Sequence, residues 1–340
     1  MKKQISLTAL ALATALTATA AHAGGVTVAE KGDTKLKISG KAFLGFTQND
    51  NGAGAKTIGG NLDRFYMQAE YYTGIWKARF TTDIHNESAL GKDQNVYVKY
   101  AFLEGKFSEA ATLRLGLSHT PWIDYEQHLW KHRFVAKVTT DHFKLDSSAD
   151  NGIGLKGKLA DGMVNYWVTE TAGAGYGAPA KTGALDFNSR ISIAPVKGVD
   201  ISLQYRNGYK GKKTDSTVNI ADKETLTQLM ASYGTHDYRA GFNTIKVTNY
   251  KTTTGEDMTA NAVWGWAKFG GEYGAFARVE QLKWTGTVTN GDKKDHQVFG
   301  VDYYATHGVT LSFAYDAEKH TTGNTATTKK EIGLFTQLKF

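Results

Sequence analysis

The sequence predicts an all-β chain: a transmembrane, antiparallel, up-and-down β-barrel of sixteen strands with one long loop folded inward. Three observations predict it. Segments of about ten residues alternate apolar and polar side chains along nearly the whole chain, as strands do that face lipid on one side and water on the other. The connections between these segments are short and long by turns. One stretch, His119 to Ser148, carries no alternation and is too long for an ordinary connection.

The first residues assign the compartment. Met1-Lys2-Lys3 is a basic start, Ile5 to Ala20 is an apolar run of small residues, and Ala21-His22-Ala23 fits a cleavage site. Together they read as a secretory signal peptide, 1–23, which leaves one barrel domain, 24–340. Removing Lys2 and Lys3 lowers the basic count from 40 to 38 against 33 acidic residues, a net charge of +5. An excess so small and so dispersed excludes a nucleic-acid partner. There is no cysteine, so an exported chain of this kind uses neither disulfides nor thiolate metal sites. Beyond the leader no apolar run approaches the ~18 residues of a membrane helix, so any crossing must be made by strands.

The alternation places strands at Lys35–Thr47, Leu62–Thr73, Ile75–His85, Asn95–Phe107, Thr112–Ser118, Asp150–Leu159, Met163–Thr171 and Ala184–Ala194. It continues at Val199–Gly208, Glu224–Tyr233, Tyr238–Asn249, Met258–Phe269, Tyr273–Thr285, His296–Thr306, Val309–Glu318 and Lys330–Phe340. Tight turns such as Gly74, Ala160-Asp-Gly162 and His307-Gly308 belong to one end. Polar connections such as Gln48–Asn61, Ala172–Gly183, Tyr209–Lys223 and Lys319–Lys329 belong to the other. All three prolines fall in connections, where a missing N–H does no harm.

The two faces of each strand differ in chemistry. In the third, Trp76, Ala78 and Phe80 oppose Lys77, Arg79, Thr81 and Asp83; in the fifth, Leu113, Leu115 and Leu117 oppose Arg114, Gly116 and Ser118. A ring of sixteen strands ~4.8 Å apart, tilted ~40°, is about 32 Å across, more than side chains can fill. The polar set therefore faces a wet lumen and the apolar set faces lipid. Tyr71, Phe102, Tyr233, Trp266, Tyr303 and Phe340 end their strands on the apolar parity, as an aromatic girdle at one interface.

With this leader, these sixteen segments, the long loop after the fifth strand and the final strand Glu331-Ile-Gly-Leu-Phe-Thr-Gln-Leu-Lys-Phe340, the chain resembles the Gram-negative outer-membrane porins. The segment Leu113-Arg-Leu-Gly-Leu-Ser-His-Thr-Pro-Trp122 resembles the corresponding strand and loop start of phosphate-selective porins. The resemblance implies passive diffusion of small hydrophilic solutes through a homotrimer in the cell outer membrane. It implies membrane lipid and lipopolysaccharide as surroundings, and a barrel-assembly machinery that reads Phe340. It implies no cofactor, and a constriction by the long loop. The loop departs from the commonest general porins in being mixed in charge.

Candidate functional residues follow from position. Arg79, Lys99 and Arg114 fall near mid-height on the lumen parity of three successive strands, with Arg64 and Lys77 extending the patch. Asp124, Glu126, Lys131, Arg133 and Lys137 are the loop's charges facing that wall. Fixed cations in a narrow channel concentrate anions, so the expected function is a weakly anion-preferring diffusion pore. A non-transport barrel, either an enzyme or a structural or electron-conduit sheath, is the rival. Among the histidines no Ser/His or Asp/His motif is recognisable, and no C-x-x-C-H exists, so the chain is read as no enzyme. His128 and His132 stand i, i+4, yet Lys131 and Arg133 beside them disfavour a metal. Gly173-Ala-Gly-Tyr-Gly177 lacks the strand and helix of a phosphate loop and is read as an outer loop.

Overall fold

The computed structural model describes residues 25–86, 94–177, 183–211, 223–286 and 291–340. The expected leader lies outside the described residues, as do parts of the connections before Gln94, Ala184, Lys223 and Lys293. The strands are β1 (Val26–Lys31), β2 (Thr34–Asp50), β3 (Lys56–Thr73), β4 (Trp76–Asn86), β5 (Gln94–Lys106) and β6 (Thr112–His119). They continue as β7 (Ala149–Leu159), β8 (Val164–Thr171), β9 (Asp186–Ile193), β10 (Val199–Gly208), β11 (Glu224–Gly234) and β12 (Tyr238–Thr248). The last are β13 (Met258–Phe269), β14 (Tyr273–Trp284), β15 (Lys293–Thr306), β16 (Val309–Thr322) and β17 (Thr325–Lys339).

From β2 onward each strand pairs antiparallel with the next. β17 then returns to β2, from Lys330↔Asp50 to Lys339↔Lys41, and closes a ring of sixteen strands. Closure leaves no unpaired edge, the condition for a sheet that crosses lipid. All sixteen expected strands are members of this ring. β1 was not expected. It pairs with the first residues of β2, Val26↔Ile38 to Lys31↔Thr34, and continues the edge beyond the end of β17. Six residues ending in Glu30-Lys31 are too few and too polar to show a period.

Two expected outer loops shrink. β2 and β3 pair as far as Asp50↔Lys56, and β16 and β17 as far as Thr322↔Thr325, with only Gly323-Asn324 between. The apolar alternation stops earlier in both hairpins, but backbone pairing needs none, and the β-branched threonines there suit a strand polar on both faces.

One face of the ring exposes its apolar side chains: Phe46, Phe80, Leu115, Val263 and Phe313 are each about half exposed or more, as a lipid-facing band requires. Tyr71, Tyr233 and Tyr303 join them near the short-turn end. Phe102 and Trp266 do not; both are buried on the opposite face, 5 % and 4 % exposed. For Phe102 the cause is a bulge. Thr81 pairs with Tyr100 and Thr82 with Val98, leaving Lys99 as the extra residue and reversing the parity of the rest of β5. For Trp266 the cause is that β13 is apolar on both faces, with Met258, Ala260, Ala262 and Trp264 on one and Val263 and Phe269 on the other. Alternation of hydrophobicity cannot orient such a strand.

The segment between β6 and β7 folds as two short helices, Ile123–Trp130 and Thr139–His142, with turns around them. Its apolar residues Trp122, Ile123, Trp130 and Val138 are each at most 1 % exposed. They form one core with Met230, Trp264, Trp266, Phe276 and Val298, which lie on the face opposite the apolar band. The expectation that this face is uniformly polar and wet is corrected for β11–β15. Its apolar residues there are covered by the segment.

Candidate permeation site

Polar contacts fix the segment round the ring. Starting from its N-terminal end, the Pro121 carbonyl accepts from Arg190 of β9 at 2.8 Å, and Tyr125 bonds to Asp200 of β10. Asn243 of β12 donates to Glu126, Trp266 of β13 donates to the Leu129 carbonyl at 2.9 Å, and His132 Nε2 lies 2.8 Å from Asp302 of β15. Further on, Thr139 donates to Glu280 of β14, His142 Nε2 lies 2.9 Å from Glu318 of β16, and Lys99 of β5 donates to Ser148 at 2.6 Å.

The contacts leave open space beside β2–β5 that reaches β13 and β15–β17. A cavity of about 670 Å³ is lined there by six cations, Lys41, Arg79, Lys131, Arg133, Lys268 and Lys339, against two carboxylates, Glu70 and Asp124. A much smaller space of about 30 Å³ shares Tyr66, Tyr100, Asp124, Gln127 and Arg133 with it and adds Arg64, Lys99, Asp141, Ser148 and Tyr176. The shared lining makes it a narrow recess of the larger cavity.

The expected wall residues divide into two groups. Arg79 lines the large cavity, held by Thr81 at 3.1 Å with its guanidinium 5.0 Å from the Tyr100 ring. Arg64 and Lys99 line the narrow space. Arg64 is paired with Asp83 at 3.0 Å and takes Tyr97 Oη at 2.7 Å. Lys77 and Arg114 line neither space. They converge with Lys156 on Glu104 at 3.1, 2.5 and 2.7 Å, so one carboxylate compensates part of the patch. Parity showed that these cations share a face; it could not show that Glu104 does too, because the bulge at Lys99 carries it there.

The segment's charges divide likewise. Asp124, Lys131 and Arg133 line the large cavity. Lys131 stacks on Trp266 at 3.8 Å, and burial beside Lys268 lowers its pKa to about 8. Lys137 lines a third space beside Asp63 and Asp316, and burial lowers its pKa as well. Glu126 is corrected: it lines no open space. It is 2 % exposed and turned to the wall, where it accepts from Trp122 Nε1 at 2.8 Å and from Asn243. Burial pushes its pKa up to about 7. The helical period of Ile123–Trp130 puts Glu126 on the face shared with Ile123 and Trp130, the buried one.

Lys268 and Lys339 went unassigned in the sequence. Lys268 follows Trp264 and Trp266 on the same parity, so the misassigned face of β13 hid it. Tyr176 is not marked by the sequence, because nothing local shows that its loop reaches the recess. Phe340 closes the ring by backbone bonds with Gly40 at 2.8 and 3.1 Å. Its ring lies over Gly40, where a Cβ would come within 2.2 Å of it, and 6.1 Å from the Phe65 ring.

Among the described residues one group could be tested as a metal site: His142, Glu280 and His296. Both nitrogens of His296 are engaged by Glu280 and Asp316, Arg278 lies 3.3 Å from Glu280, and the two imidazoles stack face to face at 3.9 Å. A stacked pair beside a guanidinium does not present converging lone pairs to a cation.

No family model matches the chain, and no curated protein matches it in sequence. Solved structures share its fold. The outer membrane channel DcaP of Acinetobacter baumannii superposes with a TM-score of 0.69 at 10 % identity, covering 93 % of this chain and 100 % of that one. Salmonella typhi OmpF, solved with daunomycin, gives 0.65 at 11 % identity over 90 % and 98 %. A loop-deleted form of OmpT, an outer membrane protein of Vibrio cholerae, gives 0.63 at 13 % over 91 % and 100 %.

Proposed function

We propose that this chain is a porin of the Gram-negative outer membrane: a water-filled channel for passive diffusion of small hydrophilic solutes, with a weak preference for anions. In this reading His119–Ser148 lies in the lumen and narrows it, and the ring sits among lipid and lipopolysaccharide as one protomer of a homotrimer. The observation that carries the reading is the large cavity with six cations against two carboxylates, set in a closed ring whose other face is apolar. Fixed charge beside low-dielectric walls raises the local concentration of the opposite ion. The fold shared with outer-membrane channels supports the same reading. Phe340 is assigned to assembly. Its deletion is expected to lower the yield of heat-modifiable barrel and to leave the conductance of surviving channels unchanged.

The test is planar-bilayer conductance with reversal potentials in a potassium chloride gradient. Chloride preference is expected in dilute salt. It should fade toward 1 M, as the Debye length falls from ~10 Å at 0.1 M to ~3 Å. Absence of any conductance would refute the channel; potassium preference in dilute salt would refute the anion clause alone.

A further inference from the structure

The Gly173–Gly177 turn reaches the narrow recess beside the large cavity. Gly173 and Gly175 have φ of +76° and +75°, which side chains rarely adopt, and a Cβ on Gly175 would meet Ser147 Oγ at 2.9 Å. The turn therefore packs directly on the end of the His119–Ser148 segment. Tyr176, the next residue, stacks on Tyr97 of β5 with ring centres 5.5 Å apart and planes 13° from parallel. Lys99 Nζ lies 3.3 Å from the centre of the Tyr176 ring and donates to Ser148 Oγ at 2.6 Å. The bulge in β5 puts Tyr100 on the same face as Lys99.

Three cations line the recess, and they are not equivalent. Arg64 is compensated by Asp83 at 3.0 Å. Arg133 stands 3.7 Å from Asp141 and 3.9 Å from Asp63. Lys99 has no carboxylate within 4.0 Å among the described residues; what it has is a hydroxyl and an aromatic face. The face of a tyrosine ring carries partial negative charge and draws an ammonium toward it.

We propose that Tyr176 is a positioning residue for selectivity: its ring holds Lys99 against the wall and masks part of its charge from solutes in the adjoining large cavity. This rests on the pore reading above. A second outer loop then tunes the anion preference that the wall supplies. Without the ring, the ammonium is free to face the solute, and the preference for anions rises.

The test compares reversal potentials in a dilute potassium chloride gradient for Tyr176→Phe, Tyr176→Leu, Tyr176→Met, Lys99→Gln and Tyr176→Leu with Lys99→Gln. Tyr176→Phe keeps the ring and should match the unmodified protein. Tyr176→Leu and Tyr176→Met should raise the chloride-to-potassium permeability ratio roughly two- to fivefold, the scale of one exposed cation–π contact. Lys99→Gln should remove that gain. A ring that merely fills space predicts the reverse, because a wider space selects less. A lower or unchanged ratio in both Tyr176→Leu and Tyr176→Met overturns the proposal, and so does a gain that survives Lys99→Gln. An unmodified protein that conducts nothing overturns the pore reading instead.

Discussion

The arcs β3–β10 and β11–β15 belong to one antiparallel ring, yet the face each turns away from the apolar band differs in kind. On β3–β10 it carries Arg64, Arg79, Arg114, Arg190 and Arg206 with their partners Asp83, Glu104 and Asp186, and open space remains beside β3–β5. On β11–β15 it carries Met230, Ile245, Met258, Trp264, Trp266, Phe276 and Leu282, and the β6–β7 segment packs against much of it. The difference teaches that an inserted segment needs an apolar strip to hold it. Polar contacts alone fix its orientation but add little net free energy, about 1 kcal/mol each, whereas burying a large apolar side chain adds about 1.5–3 kcal/mol. Apolar packing on the segment is concentrated on β11–β15, while β9 and β10 hold it by polar contacts and open space remains beside β3–β5.

The largest test removes the contrast. Replacing Ile123–Lys144 by a short Gly/Ser link should raise single-channel conductance several-fold and lower the temperature at which the barrel unfolds, because Trp264, Trp266 and Phe276 lose their cover. Unchanged conductance would mean that the segment does not narrow the path. Next, Trp130→Ala should cost about 3–5 kcal/mol, measured as heat-induced unfolding of the barrel, since the side chain is 1 % exposed and edge-on to Trp264 and Phe276. Gln68→Ala, at the open cavity, should cost about 0.5 kcal/mol or less. Equal losses at the two sites would erase the distinction between the arcs.

Within the charged arc the effect is on selectivity. Arg79→Gln with Lys99→Gln should shift the reversal potential toward cations, because Arg79 lines the large cavity and Lys99, with no carboxylate partner among the described residues, lines the recess beside it. Arg114→Gln should shift it far less, because Arg114 faces Glu104. An equal shift would mean that every wall cation counts alike.

The smallest effect concerns pH and the anchoring arc. Trp122 and Thr140 from the segment face Glu126, as do Asn243, Arg278 and Glu280 from the wall. Burial raises its pKa from 4.5 to about 7. For a carboxyl raised on folding, the protonated form is the one that suits the folded state. The contribution is full below about pH 4.5 and lost as pH rises through about 7. Glu126→Gln should therefore hold its unfolding temperature from pH 5 to pH 8 while the unmodified protein falls relative to it. A constant difference between the two would mean that Glu126 is ionised throughout.

The ring was legible because strand pairing in lipid repeats one rule, an apolar side chain every second residue between turns. Where a strand obeyed it, as at Trp76, Ala78 and Phe80, the face was assigned correctly. Where both faces were apolar, as on β13, or a bulge intervened, as at Lys99, parity pointed Trp266 and Phe102 the wrong way. Arg79 lines the large cavity and Arg64 and Lys99 the small recess beside it, each a long cation on the face opposite the apolar band. Glu126 departs from the expectation because a charge in a connection is not always a wet one: it is buried against the wall.

The sequence by itself determined that sixteen strands close a ring with one apolar face and that one connection is too long and too aromatic to be a turn. Local periodicity encodes those facts, since each depends on residues two to ten apart. Only the tertiary structure decided which charges stay open and which are compensated. Glu104 meets Lys77, Arg114 and Lys156, and Tyr176 meets Lys99, across separations that no local pattern records. The strength of a charge depends on its nearest partners, and in a closed ring those partners come from distant parts of the chain.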